Sequence, residues 1–170
     1  MFKRLIFVAS LAAAMCSTAG LAAEKNWTAP SFRIVAQKLS DETMKANPDL
    51  LSVTLHGVPP GQTGVYTMFA GSFPDRIGNA DDPDDIDVTR KGITIVDPRW
   101  NRTTDAAPKF VVLMPMRDVH GQNVGLIVYA FKVPSRSNSY ERPLYLRALR
   151  LRDTLSRRIP SYEALFAEAK

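Results

Sequence analysis

The chain has 170 residues, with 22 Lys+Arg against 17 Asp+Glu, a formal net charge of +5 and a single cysteine. A length of this order builds one hydrophobic core and leaves little room for a second domain. One cysteine excludes an internal disulfide framework and a cysteine-rich metal centre.

Lys3 and Arg4 precede an apolar run from Leu5 to Met15 that only Ser10 interrupts, and residues 16–23 are nearly all small. That is the pattern of a cleavable signal peptide covering residues 1–23, with cleavage after Ala22 or Ala23. The run is shorter than the roughly 20 residues needed to span a bilayer. Residues 24–170 are therefore expected to be one periplasmic domain with no transmembrane segment. A rival reading makes Cys16 a lipid-bearing first residue, but Met15 before it is not small. Loss of the leader removes the cysteine, leaving no thiolate chemistry. It also removes Lys3 and Arg4, leaving 20 basic against 17 acidic residues. Much of the basic excess lies late, at Arg136, Arg142, Arg147, Arg150, Arg152, Arg157 and Arg158. A solvated helix face accounts for it. Nucleic acid is not expected as a partner, and an anionic membrane surface fits slightly better.

From Pro30 to Ala46, Phe32, Val35, Leu39 and Met44 recur at helical spacing, and Asn47-Pro48 ends the pattern. Leu51 to Leu55 alternates as a strand, with Leu51, Val53 and Leu55 on one face and Ser52, Thr54 and His56 on the other. Residues 58–61 break it, and residues 64–70 read as a second strand. Within the connector 72–91, Asp82-Pro83 predicts a helix start, with Asp84, Asp85 and Asp87 near the positive end of its dipole and Lys91-Gly92 as its stop. Strands follow at Ile93 to Val96, Phe110 to Met116 and Val124 to Val133. The last two form a hairpin across residues 118–123, and Pro115 signals an edge or a bulge. Leu144, Ala148, Leu151, Leu155 and Ile159 mark a closing helix that Pro160 interrupts, and Ser161 caps a short last turn bearing Leu165 and Phe166. Strand runs enclosed by helices, without βαβ alternation, predict an α+β domain on an antiparallel sheet.

Four pieces in this order resemble the PAS-like extracytoplasmic sensors called Cache domains, in particular small stand-alone proteobacterial versions. They are residues 110–118 with the turn and Gly-bearing strand 120–126, the segment His56 to Gly61, Arg76-Ile77-Gly78 ahead of Asp81 to Asp85, and the closing pattern from Ala148 to Ser161. The resemblance covers about residues 30–166. It implies a five-stranded antiparallel sheet flanked by an N-terminal and a C-terminal helix. It further implies a small ligand, an amino acid or small carboxylate, held between the sheet and residues 72–91. Most such domains are tethered to a signalling module by membrane helices. This chain shows none, so a sensor of this kind acts in trans on a partner such as a membrane-bound signalling protein.

Candidate ligand-binding residues follow from chemistry. Arg76 and Arg117 offer planar guanidinium forks for a carboxylate. Tyr66 and Tyr129 sit in strands where a phenol can face a pocket. His56, at a strand end on the polar face, offers a group that titrates near neutrality. The acidic run Asp81, Asp82, Asp84, Asp85 and Asp87 fails the EF-hand count, because Ile86 and Gly92 stand at its sixth and twelfth positions. No metal or other cofactor is expected. No nucleophile elbow, zincin helix or phosphate loop is present, so no catalytic residue is assigned. The expected function is a small-molecule-binding, sensor-like module. The alternative is a periplasmic accessory domain that takes no small ligand and contacts its partner through the basic helix from Arg142 to Arg158.

Overall fold

The computed structural model describes residues 24–96, 108–135 and 137–170, and the expected signal peptide lies outside the described residues. In chain order the main elements are helix α1 (Val35–Ala46), strands β1 (Leu50–Gly57) and β2 (Thr67–Gly71), a 3-10 turn (Pro74–Arg76) and helix α2 (Pro83–Lys91). Strands β3 (Ile95–Val96), β4 (Lys109–Arg117) and β5 (Asn123–Lys132) follow, then helix α3 (Glu141–Ser156) and a closing 3-10 turn (Glu163–Phe166). The strands form one sheet in the order β2-β1-β5-β4-β3, with every pair antiparallel. The fold is α+β, with the five strands and terminal helices expected. Among the described residues, no helix is long and apolar enough to cross a membrane.

Local expectations fail where distant chain segments intervene. α1 begins at Val35 instead of near Pro30, because Ile34 forms a β-bridge with Glu168 and the Val35 N–H donates to the Ala167 carbonyl at 2.9 Å. The returning C-terminus thus holds Ile34 extended. In β1 a register shift between Leu50 and Ser52 turns Leu50 inward at 2 % exposure and leaves Leu51 outside at 40 %. A bulge of this kind reverses the side-chain parity that alternation alone assigns. Pro115 stands beside the corresponding irregularity in β4, where its missing N–H is tolerated.

The two faces of the sheet are covered differently from the expected arrangement, in which the first and last helices sandwich it. Ala36 and Leu39 of α1 and Ala148 and Leu155 of α3 share one core cluster with Val53, Leu55, Val112, Met114, Ile127 and Phe131. Both long helices therefore lie on one face. The opposite face is left to α2, whose one fully buried residue, Val88, packs with Val111, Leu113, Leu126 and Ala130. The hollow expected beneath the connector is occupied there by these apolar side chains.

α2 itself forms for local reasons. A capping box pairs Asp82 with Asp85, whose Oδ2 accepts the Asp82 N–H at 3.2 Å; Pro83 opens the helix, and Gly92 closes it at φ 65°. Upstream, the connector is stitched to the start of the domain and to β2. The Asn26 N–H donates to the Gly78 carbonyl, Ala80 N–H to Glu24, and Asp81 N–H to Tyr66. These bonds deliver Asp81 to the sheet at the foot of α2.

Candidate functional site

Thr54 and His56 project from β1 toward α2, on the opposite side from Val53 and Leu55. His56 is the hub. Its Nδ1 lies 2.7 Å from Asp81 Oδ1 and 4.0 Å from Asp85 Oδ2, and its Nε2 lies 2.7 Å from Thr54 Oγ1. The Asp81 side chain is 0 % exposed, that of His56 10 % and that of Asp85 15 %. Among the described residues, these three are the one group of His, Cys, Asp or Glu that brings ligand atoms together, all within 4.8 Å of one another. Asp81 Oδ2 is buried with no hydrogen-bond partner.

Gly125 permits this placement. It sits in β5 at φ 127°, and a Cβ there would overlap the carbonyl oxygen of His56. Only glycine lets the two strands approach this closely at that backbone angle.

The electrostatics couple the three residues. Burial alone would lower the His56 pKa, but the hydrogen bond to Asp81 and the charges of Asp81, Asp85 and Asp82 outweigh it and raise the imidazole above its ordinary value. Burial pushes Asp85 up to about 6, with the charges of Asp81 and Asp82 adding to the rise while the His56 charge and a backbone hydrogen bond oppose it. Two carboxylates and an imidazole thus share one desolvated space. Thr54, His56 and Asp81 also stand in the hydrogen-bond order of a hydroxyl, a base and an orienting acid. The Thr54 hydroxyl is enclosed on the α2 side of the sheet, however, and a substrate carbonyl would have to displace α2 to reach it.

The five expected ligand-binding residues do not converge. His56 is in the cluster. Tyr66, half-buried just ahead of β2, adjoins it through its carbonyl, which accepts the Asp81 N–H at 3.1 Å. Arg76 is on the exposed 3-10 turn with its guanidinium 4.8 Å from the centre of the Phe73 ring. Arg117 ends β4 at the hairpin and donates to the Gly121 carbonyl at 3.3 Å. Tyr129 faces α1 and α3, in the core on the other side of the sheet. It is fully buried, its hydroxyl has no partner, and burial pushes its pKa upward.

Asp81 and Asp85 were legible only as members of an acidic run and as caps. The signal that reaches further is the parity of β1, which sets His56 on the face opposite Val53 and Leu55, while the fold of the connector brings Asp81 and Asp85 to that face. The basic helix is also more engaged than its charge implies. Arg147 grips Asp49 through Nε and Nη2 at 2.9 and 3.0 Å and also bonds Asn47, and Arg158 pairs with Glu42.

Two open concavities lie elsewhere. One, of about 500 Å³, is lined by Thr94, Val96, Glu141, Arg142 and Tyr145; the other, of about 440 Å³, by residues 25–28 and Gln62.

No family model matches the chain, and no curated protein does. Solved structures similar to it include the sensor domain of DcuS from E. coli, at 21 % identity and a TM-score of 0.39. That alignment covers 56 % of this chain and 65 % of the DcuS domain, so the chain spans less than two thirds of its length. The GAF domain of an Acinetobacter phosphoenolpyruvate-protein phosphotransferase is 12 % identical at a TM-score of 0.43, over 74 % of this chain and 84 % of that domain. The GAF domain of PixJ from Thermosynechococcus elongatus, in its blue-light-absorbing form, is 12 % identical at 0.40, over 72 % and 83 %.

Proposed function

We propose that this chain is a periplasmic small-molecule-binding module of the PAS-like Cache type, sensing in trans for a partner such as a membrane-bound signalling protein. The observation that carries this reading is the buried cluster of His56, Asp81 and Asp85 at the foot of α2. Burying ionisable groups without full pairing costs stability, and such groups concentrate at functional sites. α2 has one fully buried side chain, and beyond the cluster a side-chain hydrogen bond, from Asn123 to the Thr89 carbonyl at 2.8 Å, ties it to β5. A ligand that engages the cluster in the folded state shifts the population toward the form in which α2 covers it.

The chemistry of the cluster narrows the ligand. Asp81 and Asp85 favour the ammonium group of an amino acid and repel a bare carboxylate unless a cation stands between them. Arg76 and Arg117 lie outside the cluster, Arg76 on the exposed 3-10 turn and Arg117 at the hairpin. The test is a thermal-shift screen of the purified chain against amino acids and small carboxylates, run in EDTA and again with an added divalent cation. At least one compound should raise the melting temperature, and Asp81→Asn should abolish the rise. Arg76→Ala and Arg117→Ala show whether either guanidinium takes part. A blank across the library overturns this reading and leaves the accessory-domain alternative, which Arg150→Glu probes by loss of a captured partner.

A further inference from the structure

We propose that His56, Asp81 and Asp85 form a binding site for one divalent transition-metal ion. The binding itself stands on geometry, while its role as a sensed or ligand-bridging ion rests on the function proposed above.

Three side chains offer one nitrogen and two carboxylate oxygens from separate elements, within 4.8 Å of one another. Metal–ligand bonds of about 2.0–2.2 Å in a tetrahedral site put donor atoms about 3.5 Å apart. The observed separations of 2.7 Å, His56 Nδ1 to Asp81, and 4.0 Å, His56 Nδ1 to Asp85, bracket that value.

Asp81 Oδ2 supplies an independent observation. Buried carboxylate oxygens are nearly always paired, yet this one, on a side chain with no exposure, has no partner. A cation beside Oδ1 and Oδ2 satisfies it.

Thr54 completes the arrangement. Its hydroxyl can donate to or accept from Nε2, so it supports either imidazole tautomer. Without metal, Nδ1–H donates to Asp81 while Nε2 accepts from Thr54. With metal, Nε2–H donates to Thr54 and the Nδ1 lone pair is free. A partner on the distal ring nitrogen that fixes the tautomer is the usual support of a metal-bound histidine. The charges also balance, since two carboxylates and a neutral imidazole meet a divalent ion.

A mixed nitrogen and oxygen donor set suits Zn²⁺, Mn²⁺ or Co²⁺ better than Ca²⁺, which takes six to eight oxygens. Three protein ligands leave at least one coordination position open. A small carboxylate could occupy it, which the acidic cluster alone would repel.

The test uses the full chain stripped with EDTA. ZnCl2, MnCl2 and CaCl2 are titrated separately by calorimetry and thermal shift, and the Co²⁺ absorption spectrum reports the ligand geometry. Zn²⁺ or Mn²⁺ should bind one to one and raise the melting temperature by several degrees, with Ca²⁺ far weaker. His56→Ala also breaks a buried hydrogen-bonded pair and risks unfolding the chain, so Asp85→Asn is the deciding variant. It should fold, by circular dichroism, and lose at least about tenfold in affinity. Asp87→Asn, whose carboxylate pairs with Lys91 on the exposed side of α2 at 2.7 Å, should bind as the parent does.

Absence of binding by any ion, or equal binding in Asp85→Asn, overturns the proposal and leaves His56–Asp81 as a structural staple. An amino acid that stabilises the chain in EDTA, with no metal response, sinks the metal site but keeps the proposed function. The full metal pattern with a blank screen in both conditions does the reverse.

Discussion

Replacing Asp85 with asparagine should make the metal-free protein more stable at alkaline pH, although Asp85 caps a helix. In the folded chain burial raises this carboxyl from 3.8 to about 6. A folded pKa above the unfolded value means that the folded state binds more protons between the two. Stability from this group is therefore fully present below about pH 3.8 and is lost as pH rises through about 6. A difference of about two units is worth about 3 kcal/mol, which the ionised group costs the fold at pH 8. Asparagine keeps an oxygen for the Asp82 N–H, but a neutral acceptor is weaker than a charged one by about 1 kcal/mol. The net gain at pH 8 is about 2 kcal/mol, or roughly 4–8 °C for a chain of this size. At pH 4.5 most of the penalty is already relieved in the parent, and the advantage should fall to near zero. Urea denaturation of both proteins in EDTA at the two pH values measures this. A variant less stable than the parent at pH 8, or a difference that does not change with pH, refutes the account of Asp85 as a buried, strained acid.

Gly125→Ala should cost about 3 kcal/mol, through backbone strain and a collision with the His56 carbonyl, read as a lower urea midpoint at unchanged m-value. Tyr129→Phe removes a buried hydroxyl without a partner and should be stabilising by about 1 kcal/mol; a large loss in urea midpoint would mean that the hydroxyl is paired in the folded protein. Arg147→Ala should cost no more than about 1 kcal/mol, because its pair with Asp49 is part-exposed and screened. The Arg147 hydrogen bond depresses the Asp49 pKa below 3.8, so that contribution is present above about pH 4 and disappears on acidification, which an acid titration of parent and variant compares. Arg150→Glu, outside that pair, should change stability by less than about 0.5 kcal/mol, a difference that urea midpoints resolve.

What the residues specify on their own is what depends on near neighbours. Asp82-Pro83, Asp85 and Gly92 carry both ends of α2 within eleven positions, and the turn residues after β4 specify the hairpin that joins it to β5. Ser161 caps the last turn through the Ala164 N–H at 3.3 Å, also as the sequence predicts. Tertiary structure decided everything that needs two distant segments. It placed α1 and α3 on one face and put Leu50 inside in place of Leu51, and it turned Tyr129 toward the helices and away from His56. It also brought together His56 and Asp81, which are 25 residues apart, through hydrogen bonds that tie the connector to β2 and to the start of the domain. Capping and turn chemistry act over a few bonds and can be read from composition. Side-chain parity is reversed by a single bulge, and the protonation of a carboxylate depends on what the fold packs around it, so neither has a purely local signature.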